Sequence, residues 1–192
     1  MQKSRRNSPG LFCDLEVCPV VIWVKGGGTM KEQDALTRRF ESAYAAYGTS
    51  VYRLAMVYLG RPADAEDITQ EVFLKLLYKA PAFADREHEK RWLLRVTANL
   101  CRDQLKNFWR RQTITLDESC PVPEGPDRAV LETILALPET YKGPIHLHYY
   151  EGYSVAEVAE ILKLSQSAVK MRLKRGRELL KLELDTGWEG SV

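Results

Sequence analysis

From Met30 to about Arg111, apolar residues recur every third or fourth position, interrupted only at Gly48, at Gly60-Arg61-Pro62 and at Pro81. That spacing sets one face of an α-helix against a core. Phe40, Tyr44, Tyr47, Val51, Leu54 and Tyr58 form a first stripe. Val72 and Leu76, with Phe73 and Leu77, form a second after Pro62, and Trp92, Val96, Leu100, Leu105 and Phe108 approximate a third. Amphipathic helices joined by short turns predict a small bundle. Residues 112–127 break every such pattern with three prolines, a glycine and four acids in sixteen positions, which predicts a stiffened linker. Fully extended, it would reach about 50 Å. A second helical block runs from Arg128 to about Asp185, punctuated by Pro138, Gly143-Pro144 and Gly152.

Inside that block, residues 154–163 and 164–180 have the form of a helix-turn-helix. Ser154 and Ser165 stand as N-caps eleven residues apart, and small Ala159 lets the two helices approach. Val169, Leu173, Gly176 and Leu180 make a packing stripe, with Lys170, Lys174, Arg177 and Lys181 together on another face. The predicted organisation is all-α: a tail over 1–29, a bundle over 30–111, the linker, a helix-turn-helix domain over 128–185 and a short tail over 186–192.

Composition narrows the function classes. The 192 residues are 45% hydrophobic and 28% charged, as in an ordinary soluble globular protein. The longest early apolar run, Val17 to Val24, contains Pro19 and is under half a bilayer span, and the flanking residues do not make a secretory signal. A cytoplasmic protein without membrane insertion is expected. The four cysteines and three histidines supply no zinc spacing and no nucleophile motif, and there is no phosphate-binding glycine loop. No metal, no cofactor and no enzymatic activity are expected. The cysteines read as reduced, and Cys101 and Cys120 either as small buried hydrophobes or as a redox pair. Two readings of residues 1–29 stand. One is a translated, disordered tail; in the other, Lys25-Gly-Gly-Gly-Thr-Met30 is the back-translation of a ribosome-binding site and Met30 is the start.

A net charge of +2 gives no global case for nucleic acid, so the distribution of charge decides. Residues 61–71 carry Asp64, Glu66, Asp67 and Glu71 against Arg61, either as a partner surface or as helix-capping acids favoured by the dipole. Residues 86–111 have a net charge of +5 with Trp92, Phe108 and Trp109 interleaved. That is a track suited to single-stranded nucleic acid, or else a solvated basic face over core aromatics. Residues 165–182 also have a net charge of +5, on the helix whose polar start suits entry into a major groove.

In this order the segments resemble the extracytoplasmic-function (ECF) sigma factors, small two-domain members of the sigma-70 family. Asp64-Ala-Glu-Asp-Ile-Thr-Gln-Glu-Val-Phe-Leu-Lys-Leu resembles region 2.2. Trp92-Leu-Leu-Arg-Val-Thr-Ala-Asn99-Leu-Cys-Arg-Asp103 resembles regions 2.3 and 2.4. Leu137-Pro-Glu-Thr-Tyr141, Tyr149-Tyr-Glu-Gly-Tyr-Ser154 and the helix-turn-helix resemble region 4. The resemblance implies that Asp64, Glu66, Asp67, Gln70, Glu71 and Phe73 bind core RNA polymerase at the beta-prime clamp, with Asp64 also a candidate cap, and that the beta subunit is contacted too. It implies that Arg91, Arg95, Asn99, Arg102, Lys106 and Arg110 hold the minus-ten element and aid melting, while Trp92 belongs to the core. Ser165, Gln166, Ser167, Lys170, Arg172, Lys174 and Arg177 would bind the minus-thirty-five element, Gln166 and Ser167 at base edges and the cations at phosphates. An anti-sigma factor is a further implied partner. The rival is a stand-alone helix-turn-helix regulator that binds duplex DNA without polymerase, and the acidic helix discriminates between the two.

Three departures from the family pattern stand out. Lys163 occupies a turn position where glycine is usual, which predicts a positive φ or a reshaped turn. Gly143-Pro144 predicts a kink or a restart in the helix after Pro138. Gly176 weakens its helix by about 1 kcal/mol.

Overall fold

The computed structural model describes the backbone of residues 30–111 and 133–187, and the side chains of 34–106 and 133–181. The linker, residues 1–29 with Cys13 and Cys18, Cys120, and the side chains of Phe108, Trp109 and Arg110 lie outside the described residues. Among the described residues six main helices are present: α1 (Met30–Leu59), α2 (Pro62–Lys79), α3 (Arg86–Arg111), α4 (Glu139–Ile145), α5 (Val155–Leu162) and α6 (Gln166–Gly187). No strand occurs among the described residues.

Helices α1, α2 and α3 pack against one another as a bundle. Pro62 begins α2, where its missing N–H would have had no intrahelical partner. Asp85 starts α3 by accepting the His88 N–H at 2.6 Å. The predicted stripes meet here: Val51, Leu54, Val72, Phe73, Leu76 and Leu93 have no exposed surface. The Phe73 ring lies edge-on to Phe40 at 5.8 Å and 5.1 Å from Tyr44, and Trp92 meets Phe83 edge-on at 5.7 Å. Cys101 is wholly buried, and burial pushes its thiol up to about 12. The small-hydrophobe reading of that cysteine therefore holds.

In the second module a helical turn over 133–136 leads into α4. The helix does not restart at Gly143-Pro144, one of the two outcomes expected there. It runs through Pro144 and relaxes immediately afterwards into a π-helical turn over His146–Tyr150, closed by the Glu151 N–H on the His146 carbonyl at 3.2 Å. The proline's disturbance is thus absorbed downstream. Helix α5 begins with a full capping box: Ser154 Oγ accepts the Glu157 N–H, and Glu157 Oε2 accepts the Ser154 N–H at 2.9 Å. The Ser154 hydroxyl also donates to Glu157 Oε2 at 2.7 Å, and that bond foremost, with the one from the Ser154 N–H, pulls the Glu157 carboxyl below its ordinary range. Lys163 takes the left-handed conformation (φ 53°), the first of the two expected outcomes. The Leu164 N–H closes on the Ala159 carbonyl at 2.9 Å, completing a Schellman turn on a non-glycine residue. Ser165 then caps α6 by accepting the Ala168 N–H at 3.2 Å.

The two modules pack directly on each other, α1 against α4 and α3 against α5, and share one continuous core. Two glycines permit the close approaches. A Cβ at Gly143 would collide with the Tyr58 hydroxyl and reach Tyr58 Cζ at 2.9 Å. One at Gly176 would stand 3.0 Å from Ile145 Cγ1. The helix-weakening Gly176 is therefore a packing choice at the α4–α6 crossing.

Candidate functional site

Helix α2 divides cleanly. Ala65, Ile68, Thr69, Val72, Phe73, Leu76 and Leu77 face the core, and Glu66, Asp67, Gln70 and Glu71 are exposed together on the opposite side. Leu74 and Tyr78, 39% and 53% exposed, continue that face toward the end of the helix. Sequence reasoning missed both, although their spacing of four and eight from Gln70 would have found them. Phe73 requires a correction. Grouped with the polymerase-facing residues from the sequence, it has no exposed surface, because its position coincides with the buried stripe. Asp64 does not cap α2. The helix has Arg61 at its N-cap with no side-chain cap bond, and Asp64 pairs with Arg61 at 3.7 Å. Glu71 is bridged by Lys75 at 2.7 Å, an exposed i,i+4 pair of little energetic consequence.

On α3, the residues Arg95, Asn99, Arg102 and Lys106 share one face, as their spacing predicts. Arg102 donates to Asn99 Oδ1 at 2.7 Å and to the Ala98 carbonyl at 2.9 Å, while Lys106 pairs with Asp103 at 3.6 Å. Asn99 and Lys106 are exposed. Arg91 and Arg95 are not free. Glu160, at the end of α5 in the other module, lies 3.5 Å from Arg91 and 4.0 Å from Arg95, and its carbonyl accepts from Arg95 at 3.3 Å.

A second junction lies beside the first. Glu151, just past the π-helical turn, accepts from Lys90 at 2.8 Å and from Ser50 at 3.1 Å, and faces His146 at 3.9 Å. His146 is 3% exposed. Burial outweighs the attraction of Glu151 and, with the positive charge of Arg53, lowers its pKa to about 4. These two carboxylates hold α3 to the second module.

Helix α6 presents Gln166, Ser167, Lys170, Lys174 and Arg177 to the exterior, with Ser165 exposed just before it. Val169 and Leu173 are buried against the rest of the module. Arg172 departs from the expectation for the sequence set. It is half-buried, sits about 140° around the helix from Ser167, and lies within electrostatic reach of the Tyr58 hydroxyl. Met171 and Arg175, which sequence reasoning passed over, are exposed.

Among the described residues no group of three or more His, Cys, Asp or Glu is placed to hold a metal, and no helix is long and apolar enough to cross a membrane. The arrangement is one of surfaces: an acidic face on α2, a basic face on α3 and a basic face on α6.

Those surfaces fall in segments that match known family models. Residues 43–111 match sigma-70 region 2, and residues 127–180 match sigma-70 region 4. The chain belongs to the sigma-70 family. Within it the chain is an ECF sigma factor, an RNA polymerase subunit that directs promoter-specific transcription initiation and is not an enzyme. It is 30% identical over 175 residues to the ECF RNA polymerase sigma factor SigW of Bacillus subtilis, covering 80% of this chain and 90% of that protein. It is 26% identical over 146 residues to SigM of Mycobacterium tuberculosis, covering 73% of this chain and 74% of the relative. Among solved structures, the sigma factor RpoE of Bartonella quintana, in complex with the anti-sigma factor NepR, shares the fold. The TM-score is 0.65 at 19% identity, over 77% of this chain and 98% of that one. CnrH, in complex with the cytosolic domain of CnrY, aligns with a TM-score of 0.55 at 24% identity, over 80% of this chain and 94% of that one.

Proposed function

We propose that the acidic face of α2 (Glu66, Asp67, Gln70 and Glu71, with Asp64 at its start) is the surface that binds core RNA polymerase. Arg91, Arg95, Asn99, Arg102, Lys106 and Arg110 of α3 hold an unpaired strand of the minus-ten element. Ser165, Gln166, Ser167, Lys170, Lys174 and Arg177 hold the minus-thirty-five duplex. The observation that carries the first assignment is the division of α2. Glu66, Asp67 and Glu71 neither cap the helix nor join the core, and the Glu71–Lys75 pair is exposed and exchangeable, so the face presents its charge to a basic partner. Arg172, half-buried like Arg91, Arg95 and Arg102, belongs to the same duplex-binding set.

The seam bears on the order of events. Glu160 competes with a phosphate for Arg91 and Arg95, which favours parting of the modules as the protein settles on polymerase and DNA. Each domain then raises the effective concentration of the other at its own promoter element. Bases held unpaired on the protein no longer compete for the duplex, which shifts melting without any chemical step. On the precedent of RpoE in complex with the anti-sigma factor NepR, an anti-sigma factor binds this chain, and the place of action is the cytoplasm.

The test is binding of the full chain to purified core polymerase. Asp67→Lys with Glu71→Lys is expected to lose binding at least tenfold while keeping its helical signal and unfolding midpoint, since both side chains are exposed. Unchanged binding would remove α2 from the interface.

A further inference from the structure

Met171 is 48% exposed in the middle of the most basic helix of the second module. A single exposed apolar side chain is ordinary on a protein surface, so exposure alone says nothing. Its place is what matters. It lies one turn after Ser167 and one turn before Lys174, beside Lys170, and Arg175 follows on the same exposed side. The opposite side of the helix carries the buried Val169, Leu173 and Gly176. Met171 thus lies toward one edge of the exposed arc, next to Ser167, Lys170, Lys174 and Arg175, with the Lys174-paired Glu178 two turns on.

A polyanionic duplex is the occupant that this cluster of cations fits. The thioether cannot hold a phosphate and offers at best a weak acceptor to a base edge. In a major groove one base feature suits it: the C5-methyl of thymine, which replaces water on both partners with apolar contact. The long unbranched side chain has the reach and the pliancy to settle against it.

We propose that Met171 reads a thymine of the upstream promoter element by packing against its C5-methyl group, a specificity role distinct from the phosphate contacts of Lys170 and Lys174. The proposal rests on the reading of α6 as the duplex-binding helix.

The experiment uses holoenzyme assembled from the full chain and core polymerase. The probes are promoter duplexes recovered by run-off transcription from genomic fragments. Each thymine of the upstream element, on either strand, is replaced singly by deoxyuridine, which removes the methyl and nothing else. At one position the wild-type holoenzyme is expected to lose about fourfold in affinity, the effect of exposing one methyl-sized group. Met171→Ala should bind the thymine promoter as weakly as wild type binds the deoxyuridine one, and should not distinguish the two. Lys174→Ala should weaken binding to both while keeping the distinction. Wild-type insensitivity at every position, or a Met171→Ala variant that still distinguishes them, overturns the proposal. Failure of the underlying reading looks different: Lys170→Glu with Lys174→Glu would then leave promoter binding unchanged.

Discussion

Gly143→Ala sets two elementary effects against each other. Alanine is the better helix former by about 1 kcal/mol, so propensity alone predicts a more stable protein. The structure predicts the reverse. The new Cβ would collide with the Tyr58 hydroxyl and stand 2.9 Å from Cζ, and Tyr58 is only 4% exposed, packed between the modules. Overpacking of this kind costs about 1–3 kcal/mol, which leaves a net loss of about 1 kcal/mol. The collision is across the seam, so relief comes from the modules moving apart. Urea unfolding should show a lower midpoint, and small-angle scattering a larger radius of gyration, with helical content unchanged. Tyr58→Phe removes the nearest clashing atom, and the double-mutant cycle should return a favourable coupling of about 1 kcal/mol. A Gly143→Ala variant stabilised by about 1 kcal/mol, with an unchanged radius and additive effects in the cycle, would refute the close approach of α1 and α4.

Three further outcomes follow from single residues. Ser154→Ala breaks the capping box of α5 and should lower stability by about 1 kcal/mol in urea unfolding. Lys163→Gly relieves a left-handed lysine at φ 53° and, after the entropy that glycine restores to the unfolded chain, should raise stability by about 0.5–1 kcal/mol. His146, its pKa lowered from 6.5 to about 4 by burial and Arg53 against the pull of Glu151, is neutral in the folded protein and takes up a proton more readily when unfolded. Its contribution is complete above pH 6.5 and is lost toward pH 4, at up to about 1.4 kcal/mol per pH unit. The drop in unfolding free energy between pH 7.5 and 5.0 should therefore be smaller in His146→Gln than in wild type.

Helix periodicity, the break at Pro62, both serine caps and the helix-turn-helix were legible because each depends on residues within a few positions of one another. The same locality explains the failures. Phe73 and Asp67 lie six residues apart in one motif, and the motif resemblance grouped them although the apolar stripe of α2 already placed Phe73 inward. Arg172 sits in a run of cations that reads as one surface, yet its angle on α6 leaves it half-buried. The Glu160 and Glu151 contacts pair residues sixty or more positions apart, and nothing in the local pattern anticipates them. Pro144 was read as the site of a kink or a restart; the helix does not restart, because the π-helical turn that follows two residues later takes up the disturbance.

The most direct test of the account is run-off transcription from fragmented genomic DNA with purified core polymerase, comparing wild-type protein, the Asp67→Lys/Glu71→Lys variant and no added protein. The account predicts discrete transcripts with wild type alone. Equal transcripts with the charge-reversed variant, or none with wild type while it binds duplex DNA tightly without polymerase, would contradict it.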